Sequence, residues 1–199
     1  MTGLTMKVRL TFTEDLLGTS TNNRKLYEEY IASKAPTEDA MEEEVEALGA
    51  EAEPERQMTI FWRDEDGNPF LFDYQIKGFF KDSCKALKKV PGTLSSKTKA
   101  YRQDIDGLVF PNPRKIPIHL SGDIGICDRP LRASTPQGER VAISVSESCP
   151  SGSWIEFEIE CLTEPMYDLI PELLDYGRLR GLGQWRNSGK GRFTWERLA

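Results

Sequence analysis

Residues 5–12 alternate strictly, with Met6, Val8, Leu10 and Phe12 on one side and Lys7, Arg9 and Thr11 on the other. A period of two predicts a strand with one buried face. The same period returns in Trp154–Cys161, where Ile155, Phe157, Ile159 and Cys161 oppose Glu156, Glu158 and Glu160. Between these strands the period changes. Ile76, Phe79, Phe80, Cys84, Leu87 and Val90 recur at helical spacing, with Asp73 placed to cap the helix and Pro91-Gly92 to end it. Met166, Leu169, Ile170, Leu173 and Leu174 predict a second helix, which Pro171 divides or restarts. A short alternating strand begins at Phe193.

Weaker signals fill the gaps. Residues 58–63 and 68–72 read as two strands joined through Asp64, Glu65, Asp66 and Gly67, a hairpin signal. Strand-like runs follow at 108–110, 116–120, 124–126 and 140–145, with Pro111, Pro113 and Pro117 assigning part of this region to an edge or a loop. Residues 23–32 and 37–48 predict two helices, and 49–57 a polar connector. The order is β, insertion, α, several β, α, loop, β. It predicts an α+β domain of the ferredoxin-like (RRM-like) type, with a β-α-β-β-α-β core and extra β-hairpins. The whole chain, 1–199, is expected to be one domain, with a helical acidic insertion at 19–57 and a glycine-rich loop at 177–193.

Charge sharpens this picture. The net charge of −6 opposes a nucleic-acid partner only on average. Acids cluster at 38–55, whereas Lys77, Lys81, Lys85, Lys88, Lys89, Lys97, Lys99 and Arg102 face a single acid, Asp82, over 77–102. Local field outweighs the sum. There is no apolar run of membrane length and no signal-peptide core, so a cytoplasmic protein with no membrane partner is expected. Cys84, Cys127, Cys149 and Cys161 form no C-x-x-C pair, so neither a metal site nor a cofactor is predicted.

The candidate site is the stretch before the last strand. Gly181 and Gly183 form one G-x-G pair, Gly189 and Gly191 another, and Trp185, Arg186, Asn187 and Ser188 lie between them. Arg180, Lys190 and Arg192 add charge. Glycines permit positive φ and close backbone approach, and successive N–H groups in such a loop can cradle an anion. Trp185 reads equally as a base-stacking ring and as a core ring that closes the loop. Lys77 and Lys81, one helical turn apart, are candidates for a second phosphate contact or for ordinary solvated lysines.

Three separated stretches together resemble the RAMP superfamily of CRISPR-associated RNA-binding proteins. The doubled G-x-G before the final strand resembles its glycine-rich signature. The opening strand leading to Leu16-Leu17-Gly18 resembles the start of its backbone subunits. Residues 67–80, containing Gly67, Pro69, Lys77 and Gly78, resemble the segment that enters their first helix. Here Phe72, Asp73, Tyr74 and Gln75 replace that segment's Pro-Gly-Ser-Ser, and Lys81 stands near its arginine. Target-cutting members carry an aspartate after the first glycine, and Thr19, Ser20, Thr21, Asn22 and Asn23 include none. Repeat-cutting members use a histidine near the first helix, where His119, the single histidine, does not fall.

The resemblance implies a non-catalytic protein that binds single-stranded RNA or crRNA and assembles with copies of itself or within a CRISPR effector complex. The RNA would be gripped by Lys77, Lys81, Arg180, Gly181, Gly183, Trp185, Arg186, Asn187, Ser188, Gly189, Lys190, Gly191 and Arg192. A phage- or mobile-element-encoded protein that mimics a backbone subunit and inhibits an effector complex, an anti-CRISPR, is the alternative. A metal-independent endoribonuclease using His119, Tyr101 or Lys115 is the third reading.

Overall fold

In the computed structural model the strand predicted at the start is β1, Leu4–Phe12, and the sheet built on it carries the molecule. Residues 3–21, 58–135 and 138–199 are described. The two helices and connector expected within 19–57 lie outside these residues from position 22 onward. The chain leaves at β3, Ser20–Thr21, and returns at β4, Met58–Ile60, two strands paired antiparallel.

Six further strands and three helices follow before the last segment. A hairpin joins β5, Trp62–Arg63, to β6, Pro69–Phe72. Helix α1 is Asp73–Leu87, α2 is Leu94–Lys97 and α3 is Tyr101–Leu108. Then come β7, Val109–Asn112, and β8, Lys115–His119. Strands β9, Gly125–Thr135, and β10, Gly138–Cys149, pair along nearly their full length. The last segment contains β11, Trp154–Cys161, α4, Glu164–Asp175, α5, Gly177–Arg180, and β12, Phe193–Arg197.

Among the described residues one sheet runs β12-β1-β11-β8-β6-β5, with β7 also on β11, and every pair in it is antiparallel. A second sheet groups β2, Leu16–Leu17, with β10, β4 and β3, and β9 extends it. The class is α+β. No described helix is long and apolar enough to cross a membrane.

Alternation in the first sheet sends Met6, Val8, Leu10, Phe12, Ile155, Phe157 and Ile159 to one face, where all are buried. Ile76, Phe79, Phe80 and Cys84 of α1 and Leu169, Ile170, Leu173 and Leu174 of α4 complete that core. Phe193 joins the parts: its ring lies 6.4 Å from Phe12 and 5.2 Å from Phe79, both edge-on. The facing Gly177 has no room for a side chain, since an added Cβ would stand 2.1 Å from the Phe193 ring.

Several local expectations need correction. Asp73 is the first residue of α1 rather than its cap, and the Gln75 side chain accepts the Phe72 N–H at 2.9 Å. Pro171 does not divide α4, because the buried leucines and isoleucine on both sides hold the helix together across the missing N–H. Helix α3 went unpredicted because only Ile105 of it is buried, which leaves almost no apolar period to read.

Replacing Phe193 with alanine is expected to cost about 3–5 kcal/mol, the usual range for a large aromatic removed from a core. A urea-denaturation midpoint within error of wild type would contradict the joining role assigned to this ring.

Candidate nucleic-acid interface

The glycine-rich stretch folds into two backbone arms laid against each other. Leu182 donates its N–H to the Gly191 carbonyl at 2.9 Å, and Gly191 donates to Asp15 at 2.8 Å. Gly191 has φ +69°, and a Cβ there would stand 2.0 Å from the Leu182 oxygen. Glycine is required at this position by space as well as by φ. A Cβ on Gly181 would also meet the backbone of residues 190–192, at 2.6 Å, and Gly183 lies over Leu16 and Leu17. By contrast, a Cβ on Gly189 (φ +88°) meets only the movable Arg192 guanidinium, at 3.3 Å.

Hydrogen bonding changes the expected chemistry of this loop. The N–H groups of Gly181, Gly189 and Gly191 all donate within the protein, to Gly177, Arg186 and Asp15. They are therefore not the anion cradle that the spacing suggested.

Arg180 Nε and Arg186 Nη1 both donate to one oxygen of Asp82 on α1, at 2.9 and 3.0 Å. Arg180 also donates to the Asn187 side-chain oxygen. Lys190 pairs with Asp15 at 2.8 Å, and Arg192 Nε caps the Leu179 carbonyl at 3.1 Å. Ser188 is exposed beside them.

Trp185 does not belong to the core. It is 38 % exposed and sits in the left-handed region at φ 54°, a conformation that bulky residues rarely hold. The Arg129 guanidinium lies 5.5 Å from its ring centre and donates to the Gln184 side chain at 2.6 Å. Arg129 and Gln184 escaped the sequence reading, since they are 55 residues apart and share no local pattern.

Lys77 and Lys81 lie on the other flank of α1. Lys77 donates to the Asp106 carbonyl at 3.1 Å and covers the Phe110 ring, while Lys81 pairs with the Asp106 carboxylate at 3.2 Å. The loop cations and these lysines thus share one helix but not one flank.

The residues considered for nuclease chemistry are not gathered. His119 stacks on Trp154 at 3.7 Å on the sheet face away from the helices, where Lys115 also lies. Tyr101 packs in the helix layer. Burial raises the thiols of Cys84 and Cys149 above their ordinary range and pushes Cys161 up to about 11, so these three remain protonated at neutral pH.

No protein-family model matches the sequence, and no curated protein matches it. Solved structures do. A chain of the Type III-B Cmr-beta complex, determined by cryo-EM bound to cognate target RNA, superposes with a TM-score of 0.50 at 16% identity. The fold is shared with that Cmr-beta chain. The match covers 96% of this chain and 58% of that one, so this chain spans well under two thirds of its neighbour's length. A chain of a Type IV-B CRISPR complex gives a TM-score of 0.48 at 10% identity, covering 98% of this chain and 91% of that one.

Two outcomes follow from the loop geometry. Gly191→Ala is expected to cost more than about 3 kcal/mol, because backbone must move, whereas Gly189→Ala costs roughly 1–2 kcal/mol from its φ alone. Equal losses for the two in thermal denaturation would contradict the packing described.

The second outcome concerns pH. The Lys190 hydrogen bond holds the Asp15 carboxyl below its ordinary 3.8, and the same bond raises the Lys190 ammonium above 10.5. The Asp15 contribution is present above its ordinary value and is lost as pH falls through the depressed one. The Lys190 contribution is present below its ordinary value and is lost as pH rises through the raised one. The stability deficit of Asp15→Asn should therefore be flat from about pH 5 to 9 and shrink below about pH 4. A deficit that peaks in acid would contradict the ion pair.

Proposed function

We propose that this chain is a non-catalytic RNA-binding protein of the RAMP type, holding single-stranded or CRISPR RNA against the glycine-rich loop and α1. The observation that carries this reading is the arginine pair on Asp82 beside an exposed, left-handed Trp185. Fork-shaped guanidinium groups suit phosphate, and an exposed indole offers a base a stacking face. The likeness to a Cmr-beta chain from an RNA-bound complex agrees with this reading.

The strand order β12-β1-β11-β7, with α1 and α4 packed on the same core, supports a ferredoxin-like arrangement beneath the added hairpins. Residues 1–199 are read as one such domain, with an insertion at 19–57 and the loop at 177–193. Assembly with further copies, or within a CRISPR effector complex, is part of the proposal. A mimic that binds such a complex and inhibits it is the second reading. It is favoured by the pairing of Arg180, Arg186 and Lys190 with the protein's own acids.

Anisotropy titration of labelled single-stranded RNA tests the first reading. Binding should be micromolar or tighter at low salt and weaken steeply as salt rises, because phosphate contacts release counterions. Arg186→Ala should lower the salt slope by about 0.7 and Trp185→Ala should cost roughly 1–3 kcal/mol. Absent or salt-independent binding would sink the proposal, and capture of an effector complex by an RNA-free protein would put the second reading in its place. Defined RNA fragments appearing with magnesium or manganese would overturn the non-catalytic part.

A further inference from the structure

Two amide side chains flank Trp185 in the loop, and each has its oxygen held by an arginine. Arg129, a buried residue of β9 (7 % exposed), donates from Nη2 to Gln184 Oε1 at 2.6 Å. Arg180 donates from Nη1 to Asn187 Oδ1. A guanidinium has donors only, so the amide atom that faces it is the oxygen. That settles which end of each amide is left for a ligand. Among the described residues these two side chains make no other hydrogen bond, and neither amide nitrogen is shut off from solvent. Each therefore offers an NH2 group, with two donors and no acceptor.

Arg129 ties this chemistry to the indole. Its guanidinium lies 5.5 Å from the centre of the Trp185 ring while it holds Gln184, so ring and amide share one neighbour. The backbone on either side is fixed as well. Gly183 has φ +74° over Leu16 and Leu17, and the Ser188 N–H donates to the Trp185 carbonyl at 3.0 Å. The amide is thus set beside the ring, and little of its freedom remains to be lost on binding. Neighbouring side chains are donors too. Arg180, Arg186, Lys190 and Arg192 carry only N–H groups, and the nearby carboxylates of Asp82 and Asp15 are already engaged by them.

Bases differ in what they show to such a surface. Uracil and guanine carry an exocyclic oxygen where cytosine and adenine carry an amino group. The oxygen accepts from an amide NH2. The amino group sets donor against donor and leaves both without a partner. We propose, building on the reading that RNA stacks on Trp185, that Gln184 is a specificity-determining residue. With its oxygen held by Arg129, it donates to the exocyclic oxygen of the stacked base. The loop thereby selects keto bases, uracil and guanine, over the amino bases cytosine and adenine. Asn187, held in the same way by Arg180, adds donors of the same kind.

The test compares labelled oligouridylate and oligocytidylate of equal length, whose bases share a ring size and differ in one exocyclic group. Wild type should bind oligouridylate roughly five- to tenfold more tightly, the scale of one hydrogen bond made or left unmade. Gln184→Glu keeps the bond to Arg129, since a carboxylate accepts at least as well, so the melting temperature should not fall. It removes the donors, and the ratio of affinities should drop to about one or reverse. Leu179→Glu puts the same charge on an exposed position of α5. It should weaken both oligomers alike and leave the ratio at its wild-type value.

If wild-type protein binds neither oligomer, the RNA-binding reading itself fails. If wild type binds, three results overturn the Gln184 assignment while leaving the loop reading intact. These are equal wild-type affinities for the two oligomers, a preference that survives in Gln184→Glu, and a preference that falls as far in Leu179→Glu.

Discussion

The contact on which the rest depends is the meeting of two backbones at Gly191 and Leu182. With the Leu182 N–H bound to Gly191 and the Gly191 N–H bound to Asp15, the loop is fastened to the exit of β1 on its inner side. The next residues then have one register open to them: Phe193 lies opposite Phe12, and β12 becomes the edge of the sheet. A side chain at 191 would separate the arms and withdraw Phe193 from α1 and β1. The loop is therefore a closure of the core as well as a candidate interface, and its two pairs of glycines divide that work unequally. Gly181 and Gly191 close the fold, whereas Gly189 lies under a movable guanidinium.

Elements with a strong apolar period were legible in the chain. Strands β1 and β11, helices α1 and α4 and the final strand each carry a half-buried pattern that one face of the core explains. What escaped reading lacked such a pattern or ignored it. Helix α3 buries Ile105 alone. The strand-like runs read at 108–110 and 116–120 do become β7 and β8; what the prolines hid is that β8 lies inside the sheet, between β11 and β6. The interface was half legible for a related reason. Glycine spacing marks a tight loop, but the partners that occupy its N–H groups and cations lie far away in sequence. Asp82 is 98 residues from Arg180 and 104 from Arg186, and Asp15 is 175 from Lys190. No periodicity reports pairings of that kind, so the loop's acids and Arg129 were found only in three dimensions.

Those acids hold the loop cations in place on a chain of net charge −6. The arginines stand on Asp82 with roughly a quarter of its side chain and of Arg180 still exposed (28 % each), and Lys190 stands on a partly exposed Asp15. Ion pairs at such exposure contribute little to stability, typically ~0–1 kcal/mol, and are screened by salt. They nonetheless hold long side chains in one place. If RNA binds as proposed, a phosphate arriving there would meet guanidinium groups already aimed, with little side-chain entropy left to lose. The carboxylate also sets a threshold. Under the same reading, a lone weak anion would gain almost nothing by competing with Asp82, whereas a strand engaging Arg180, Arg186 and Trp185 together would gain from every contact while displacing one carboxylate. Under the proposed RNA-binding reading, that arrangement would favour a continuous polyanion over scattered small ones, with no requirement for a high net positive charge.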